Sequence, residues 1–243
     1  MTKSTIKNCK GVFFDLYGTL LDYNEEEIAN KNWLNSLYEM VGIPNGISFE
    51  IVKSRAMKIL EDDWEMNPDD SLTIYETKIQ NQFAQEGISF SRDQLAMIAN
   101  ESVGSWQATI TLAENAIQVM QQLSQTKKLA LISNFDHTPH VKKVVSKHQL
   151  DLYLNPIIIS DEVKCKKPDP RIFQLALEQT NLSAEEVIFV GDSYTDDVLG
   201  ARSANIHPVM IKHKSNSHRH NNNHSEPNLT TIQSLSELLE LLS

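Results

Sequence analysis

The chain has 243 residues, 40% of them hydrophobic and 22% charged, and a net charge of -10. That composition is globular, and the length suits one large domain or a core carrying an inserted second unit. The acidic balance argues against nucleic acid and anionic membranes as partners, since both select basic surfaces.

In chain order, the first strand is expected at Val12-Phe13-Phe14, an apolar run that stops at Asp15. From Asp22 to about Leu112 the pattern is helical. Ile28, Leu34, Leu37, Tyr38 and Val41 recur at helical spacing, and Gly42-Ile43-Pro44-Asn45-Gly46 ends that segment. Phe49, Val52, Ala56 and Ile59 mark a second helix, and Ile74, Ile79 and Phe83 a third. Ser91 and Gln94 form a capping box for a fourth, which carries Leu95, Ile98, Val103 and Trp106. The expected organisation is a helical insert at 22–112 within a core made of 1–21 and 113–243.

Beyond the insert, strands are expected at Leu129–Ile132, Ile157–Ile159, Val187–Val190 and Val209–Ile211. Helices alternate with them: one bearing Ile117, Met120 and Leu123, one from Thr138-Pro139 through Val145, then Pro170–Thr180 and Asp197–Ala204. A polar stretch, Lys212–Asn228, precedes a last helix boxed by Ser234 and Glu237. The βαβ alternation implies an α/β fold with a Rossmann-like, doubly wound parallel sheet.

Polar clusters follow four of these strands in turn. Asp15 ends the first, and Gly18 frees the backbone for a turn beside Thr19. Ser133-Asn134 ends the second, where a hydroxyl and backbone N–H groups suit an anionic oxygen. Lys167, between prolines and acids, follows the third, with Lys164 and Lys166 as competitors for its role. Gly191-Asp192 ends the fourth, and Asp197 opens the next helix. Carboxylates gathered at the carboxyl ends of parallel strands, in the crevice where open α/β sheets bind ligands, imply a bound cation; hard oxygen donors suit Mg²⁺.

These four segments, in this order, resemble the four motifs of the haloacid dehalogenase superfamily, and the insert resembles that superfamily's α-helical cap. The resemblance implies that Asp15 is a nucleophile, Ser133 a ligand of a substrate oxygen and Lys167 its charge-neutralising partner. Thr19 and Asn134 complete the implied substrate-binding set. Asp15, Asp192, Asp197 and the backbone carbonyl of Tyr17 are the implied Mg²⁺ ligands.

Two departures pull in opposite directions. Tyr17 stands where most phosphatases of the superfamily have a second Asp as general acid and base; the dehalogenase branch has a similar Asp-x-Tyr-Gly-Thr pattern. Gly191-Asp192-Ser193-Tyr194 lacks the Asn of the dehalogenase fourth motif and keeps a metal-type Asp, and Phe135 replaces the Gly that follows the dehalogenase second motif. The reading that results is a Mg²⁺-dependent phosphatase with a modified first motif and a small anionic substrate, with Tyr17 as a candidate proton donor. Its rivals are a metal-independent 2-haloacid dehalogenase and a non-catalytic binding protein of the same fold.

The amino terminus has lysines but no apolar core, so no signal peptide is expected, and no run reaches the ~18 apolar residues that span a bilayer. Cys9 and Cys165 stand in no metal-binding spacing, which favours a reducing cytoplasm over a disulfide framework. A monomer or a homodimer fits equally. His213, His218, His220 and His224 are irregularly spaced in a polar tract and read as a solvated loop. Glu61-Asp62-Asp63 with Asp69-Asp70 read as a solvated helix end, and Trp33, Trp64 and Trp106 as packing within the insert.

Overall fold

The computed structural model describes residues 6, 8–61, 71–212, 226 and 228–243. His213, His218, His220, His224, Trp64, Asp62, Asp63, Asp69 and Asp70 therefore lie outside the described residues. The chain divides into two compact units, one of Met1–Asn24, Thr111–Asn134 and Val144–Ser243, the other of Glu25–Ile110 and Phe135–Lys143. The second unit takes in 135–143, which strand–helix alternation alone assigns to the first.

The first unit is built on a six-stranded sheet: β1 (Gly11–Phe14), β4 (Lys128–Ser133), β5 (Leu154–Ile159), β6 (Val187–Gly191), β7 (His207–Ile211) and β8 (Thr230–Ile232). The remaining strands, β2 (Leu21–Tyr23) and β3 (Ile110–Leu112), pair separately. The order in the large sheet is β5-β4-β1-β6-β7-β8, and every neighbouring pair is parallel. The strands read as unbroken apolar runs because both faces of the sheet are covered. Phe13, Ala130, Ile132 and Phe189 pack with Ile172, Phe173 and Ala176 of the helix Pro170–Thr180. Their neighbours Val12, Leu129, Leu131 and Ile188 face the other way and are equally buried. The result is a Rossmann-like, doubly wound parallel sheet.

The short strands β2, β3 and β8 escape sequence reading because three residues with an Asp or Thr among them carry too little apolar signal. In the last helix, Glu237–Leu241, Glu237 accepts from the backbone N–H of Gln233 at 3.1 Å and from the Ser234 hydroxyl at 3.4 Å.

The second unit holds the helices Glu26–Leu37, Phe49–Glu61, Ile74–Ala84 and Arg92–Gln107. Trp33, Leu37, Val52, Ala56, Ile79, Phe83, Leu95 and Ile98 form its core. Ile28 does not join it and is exposed, because Ala29, Trp33 and Leu37 set the inward stripe of that helix. Thr73 and Ser91 each close a capping box with Glu76 and Gln94. Inside the core, the Trp33 indole N–H donates to Tyr75 Oη at 2.6 Å, and Tyr75 Oη lies 2.8 Å from Ser102 Oγ. Trp106 packs against Phe135. Among the described residues, no helix is long and apolar enough to cross a membrane.

Candidate active site

Strands β1 and β6 run side by side in register, Phe14 opposite Val190, so Asp15 and the Gly191-Asp192 pair leave the sheet at the same edge. The chain proceeds from β1 through β4 to β5 on one side, and from β6 through β7 to β8 on the other. The crevice beyond β1 and β6 is therefore the switch point where sheets of this kind bind ligands.

Four charged side chains converge there from three stretches of chain. Carboxylate oxygens of Asp15, Asp192 and Asp197, all buried, lie within 4.8 Å of one another. Lys167 Nζ donates to Asp15 Oδ1 at 2.6 Å and to Asp197 Oδ1 at 2.7 Å, and sits 5.3 Å from the centre of the Phe189 ring. The other Asp197 oxygen accepts from the Ser193 backbone N–H at 2.8 Å. Burial lifts the Asp15 carboxyl to about 6; Lys167 pulls it down and Asp197 pushes it up. Burial opposes the Lys167 ammonium, but Asp15 and Asp197 overcome it and hold Lys167 above its ordinary range. Three carboxylates against one ammonium leave the cluster short of positive charge.

A family model for haloacid dehalogenase-like hydrolases matches residues 9–205, which include every residue of this cluster. The chain is a haloacid dehalogenase-like hydrolase. It is 32% identical to the rhythmically expressed gene 2 protein of Drosophila melanogaster over 147 residues, which is 56% of each chain. It is 26% identical to a glyceraldehyde 3-phosphate phosphatase of Pyrococcus abyssi over 208 residues, 84% of this chain and 82% of that one. A 2-haloacid dehalogenase from Pseudomonas syringae shares its fold at a TM-score of 0.67 and 21% identity, covering 96% of this chain and 98% of that chain.

Two glycines make room for the acids of this hydrolase. Gly18 has φ +91°, and a Cβ there would stand 2.3 Å from Asp192 Oδ2; a Cβ on Gly191 would stand 2.3 Å from the Asp197 carboxylate carbon. The sequence marks Gly18 as a turn residue but gives no sign that either glycine yields its Cβ volume to a carboxylate. The backbone has thus been cut away around hard oxygen donors, and Asp15, Asp192 and Asp197 are the residues that can hold a divalent cation. Gly191→Ala is expected to displace Asp197, destabilise the fold by about 1–3 kcal/mol and weaken divalent-cation binding in a calorimetric titration. Unchanged affinity would show that Asp197 keeps its place despite the added methyl.

The other sequence candidates take distinct positions. Lys167, not Lys164 or Lys166, reaches the acids; Lys164 pairs with Asp161 at 3.4 Å. Asp197 joins the cluster as expected of it, while the Asp196 carboxylate lies 3.5 Å from the Asn134 amide. Ser133 is buried at the end of β4, and Thr19 is buried in the turn after β1, where the Leu20 and Leu21 N–H groups both donate to the Leu16 carbonyl at 2.9 Å. Asn134, an implied substrate-binding residue, engages the Lys167 backbone. Its Nδ2 donates to the Lys167 carbonyl at 2.9 Å, and its Oδ1 accepts from the Lys167 N–H at 2.8 Å. Nothing in the sequence announces this clamp, because the two residues are 33 positions apart. Tyr17 is buried, its ring 6.1 Å from that of Tyr23. Burial, then Tyr23 and Asp15, push the Tyr17 phenol well above its ordinary pKa.

Proposed function

We propose that this hydrolase is a Mg²⁺-dependent phosphatase of a small phosphorylated metabolite, acting in the cytoplasm through an aspartyl-phosphate on Asp15. The observation that carries the reading is the buried triad of Asp15, Asp192 and Asp197, balanced only in part by Lys167. Buried like charges of this kind are costly without a cation, which favours a hydrolase that works with a metal. Asp15, Asp192 and Asp197, with the Tyr17 carbonyl, would hold Mg²⁺, which when bound supplies Lewis-acid polarisation of a phosphoryl oxygen.

Asp15 attacks phosphorus in line; its O–P bond forms as the bond to the leaving oxygen breaks. Lys167 neutralises charge on the nucleophile and on the equatorial phosphoryl oxygens, and Ser133 and Thr19 donate hydrogen bonds to those oxygens. Water then attacks the phosphorus of the acyl phosphate, returning the Asp15 carboxylate and releasing inorganic phosphate. The Tyr17 phenol can hand a proton to a leaving alkoxide, but its raised pKa makes it a poor acid and its neutral form no base for the water step. This favours substrates whose leaving groups need little protonation. The helical unit, inserted directly after the first motif, would supply the choice of substrate. The phosphatase relative supports this reading at 26% identity, and the free, buried Cys9 and Cys165 fit a reducing compartment.

One observation favours a second reading. Tyr17 in place of a second acid suits a carbon–halogen substrate, because halide leaves without a proton. The deciding assay follows p-nitrophenol release from p-nitrophenyl phosphate and chloride release from 2-chloropropionate, each with Mg²⁺ and with EDTA. Mg²⁺-dependent nitrophenol release without chloride is expected; chloride release that ignores EDTA would replace the phosphatase by the dehalogenase.

A further inference from the structure

Asp192 and Asp197 stand on either side of one turn, which has its own fastening. The Ser193 N–H donates to Asp197 Oδ2 at 2.8 Å, and the Ser193 carbonyl accepts from the N–H groups of Asp197 at 3.0 Å and Val198 at 3.2 Å. A bond from the fifth residue on widens the turn, so Tyr194–Leu199 is π-helical before Gly200–Ser203 continues as α-helix. Turns of this kind are rare and occur often at functional sites, and what surrounds them has to hold their shape. Tyr194 opens the wide turn, and its hydroxyl donates to the carboxylate of Glu226, 32 positions on. The same carboxylate accepts from two guanidinium nitrogens of Arg202, at 2.6 and 3.2 Å. Glu226 thus ties the first residue of the wide turn to the helical turn that follows it. Glu226 is itself held to the sheet. Its carbonyl accepts from the Leu229 N–H at 3.1 Å, and Leu229 leads into β8, where Thr230 lies opposite Val209 of β7. All of these residues belong to the sheet unit.

We propose that Glu226 is a positioning residue for the turn after Asp192: by joining Tyr194 to Arg202 it fixes the shape of the wide turn, and the turn fixes where Asp197 stands beside Asp192 and Lys167. The route is continuous. It runs from β8 through Glu226 to the Tyr194 hydroxyl, then along one residue of backbone to Ser193, whose N–H holds Asp197. A carboxylate suits the task because it accepts from a phenol and a guanidinium at once, through charge-assisted hydrogen bonds. Its bearing on Mg²⁺ rests on the reading of Asp15, Asp192 and Asp197 as metal ligands. The sequence conceals the link, since Glu226 is there one polar residue of the stretch Lys212–Asn228. The Arg202–Glu226 pair keeps partial exposure, so breaking it costs the fold little and the variants remain testable.

The test compares Glu226→Ala, Tyr194→Phe and the double variant; Tyr194→Phe removes one oxygen and keeps the ring. Lys10→Ala serves as a control, because it breaks a different ion pair of the same unit, that with Glu186, at the amino end of β1. The first readout is amide hydrogen exchange at Ser193 and Asp197 in metal-free protein. Each single variant should speed it by about tenfold, the double variant should be no faster than Glu226→Ala, and the control should match the native chain. The second readout is calorimetric titration with Mg²⁺. Its Kd should rise by about tenfold in both single variants, the low end of the ~10–100-fold loss that follows removal of groups supporting metal ligands. This titration arm rests on the metal reading; the exchange arm does not. A native protein that takes up no Mg²⁺ but shows the exchange pattern would reject the metal site and keep the brace. Native-like exchange in Glu226→Ala, or an equal change in Lys10→Ala, would overturn the proposal. Faster exchange with native Mg²⁺ affinity would overturn it too, since the turn would then loosen without displacing Asp197.

Discussion

Asp15→Asn is expected to lower kcat on p-nitrophenyl phosphate by about 10⁴-fold or more, the scale seen when a covalent nucleophile is removed. The amide keeps the shape of the carboxylate but cannot form the acyl phosphate. The same change removes one of three carboxylates lying within 4.8 Å of one another. Metal-free Asp15→Asn protein should therefore melt no lower than the native chain, because relief of repulsion offsets the lost Lys167 contact. Native protein should gain thermal stability as Mg²⁺ is raised, by mass action on the folded state, and the variant should gain less. These two readouts separate the roles. Residual turnover near the native level would remove Asp15 from the mechanism, whereas an undiminished Mg²⁺ response would remove it from the metal site.

Tyr17→Asp is expected to raise turnover of alkyl phosphates by about 10²–10⁴-fold, the usual contribution of a positioned general acid–base group. Turnover of p-nitrophenyl phosphate should change far less, because a phenolate leaves without help. The surroundings of the buried Tyr17 phenol hold it well above its ordinary pKa, so it gives up its proton poorly. A carboxylic acid at that position both donates to an alkoxide and accepts from the attacking water. It also adds a fourth acid to a crowded site, so some loss of stability in the absence of metal accompanies the gain. A leaving-group series from nitrophenyl through phenyl to alkyl phosphates should show a steep slope for the native chain and a shallower one for the variant. Parallel slopes would mean that Tyr17 does not limit proton transfer.

Much of the fold was legible because its signals are local. The strands β1, β4, β5, β6 and β7 are apolar runs, each ended by a polar or helix-starting residue, and that pattern sits in five or six consecutive positions. The capping box at Ser91 and Gln94 is equally local, and the structure forms it. The strands β2, β3 and β8 were not legible, since segments of three residues are made by their partners and not by their own propensity. Ile28 misled for a related reason: helical spacing shows that an apolar stripe exists, but Trp33 decides which way it turns.

The site divides in the same way. Acids, a lysine and hydroxyls at the ends of successive strands could be read from the chain, because strand order along the sequence carries them to one sheet edge. That Lys167 reaches Asp15, and that Asp197 joins it, was implied by the family resemblance and not by spacing. Asp15 and Lys167 are 152 positions apart, and rotations of one residue about a helix axis decide between adjacent aspartates. The same holds for the Cβ space that Gly191 yields to Asp197 and for the clamp of Asn134 on Lys167.

Sequence alone therefore determined the α/β class, the order of its motifs and the chemical kind of its site, since these follow from periodicity and residue type. Tertiary structure decided the pairing of Lys167 with Asp15 and Asp197, the carving of the backbone at Gly18 and Gly191, and the membership of 135–143 in the helical unit. Those features depend on distances of a few ångströms between residues far apart in the chain, which only packing of the folded core sets.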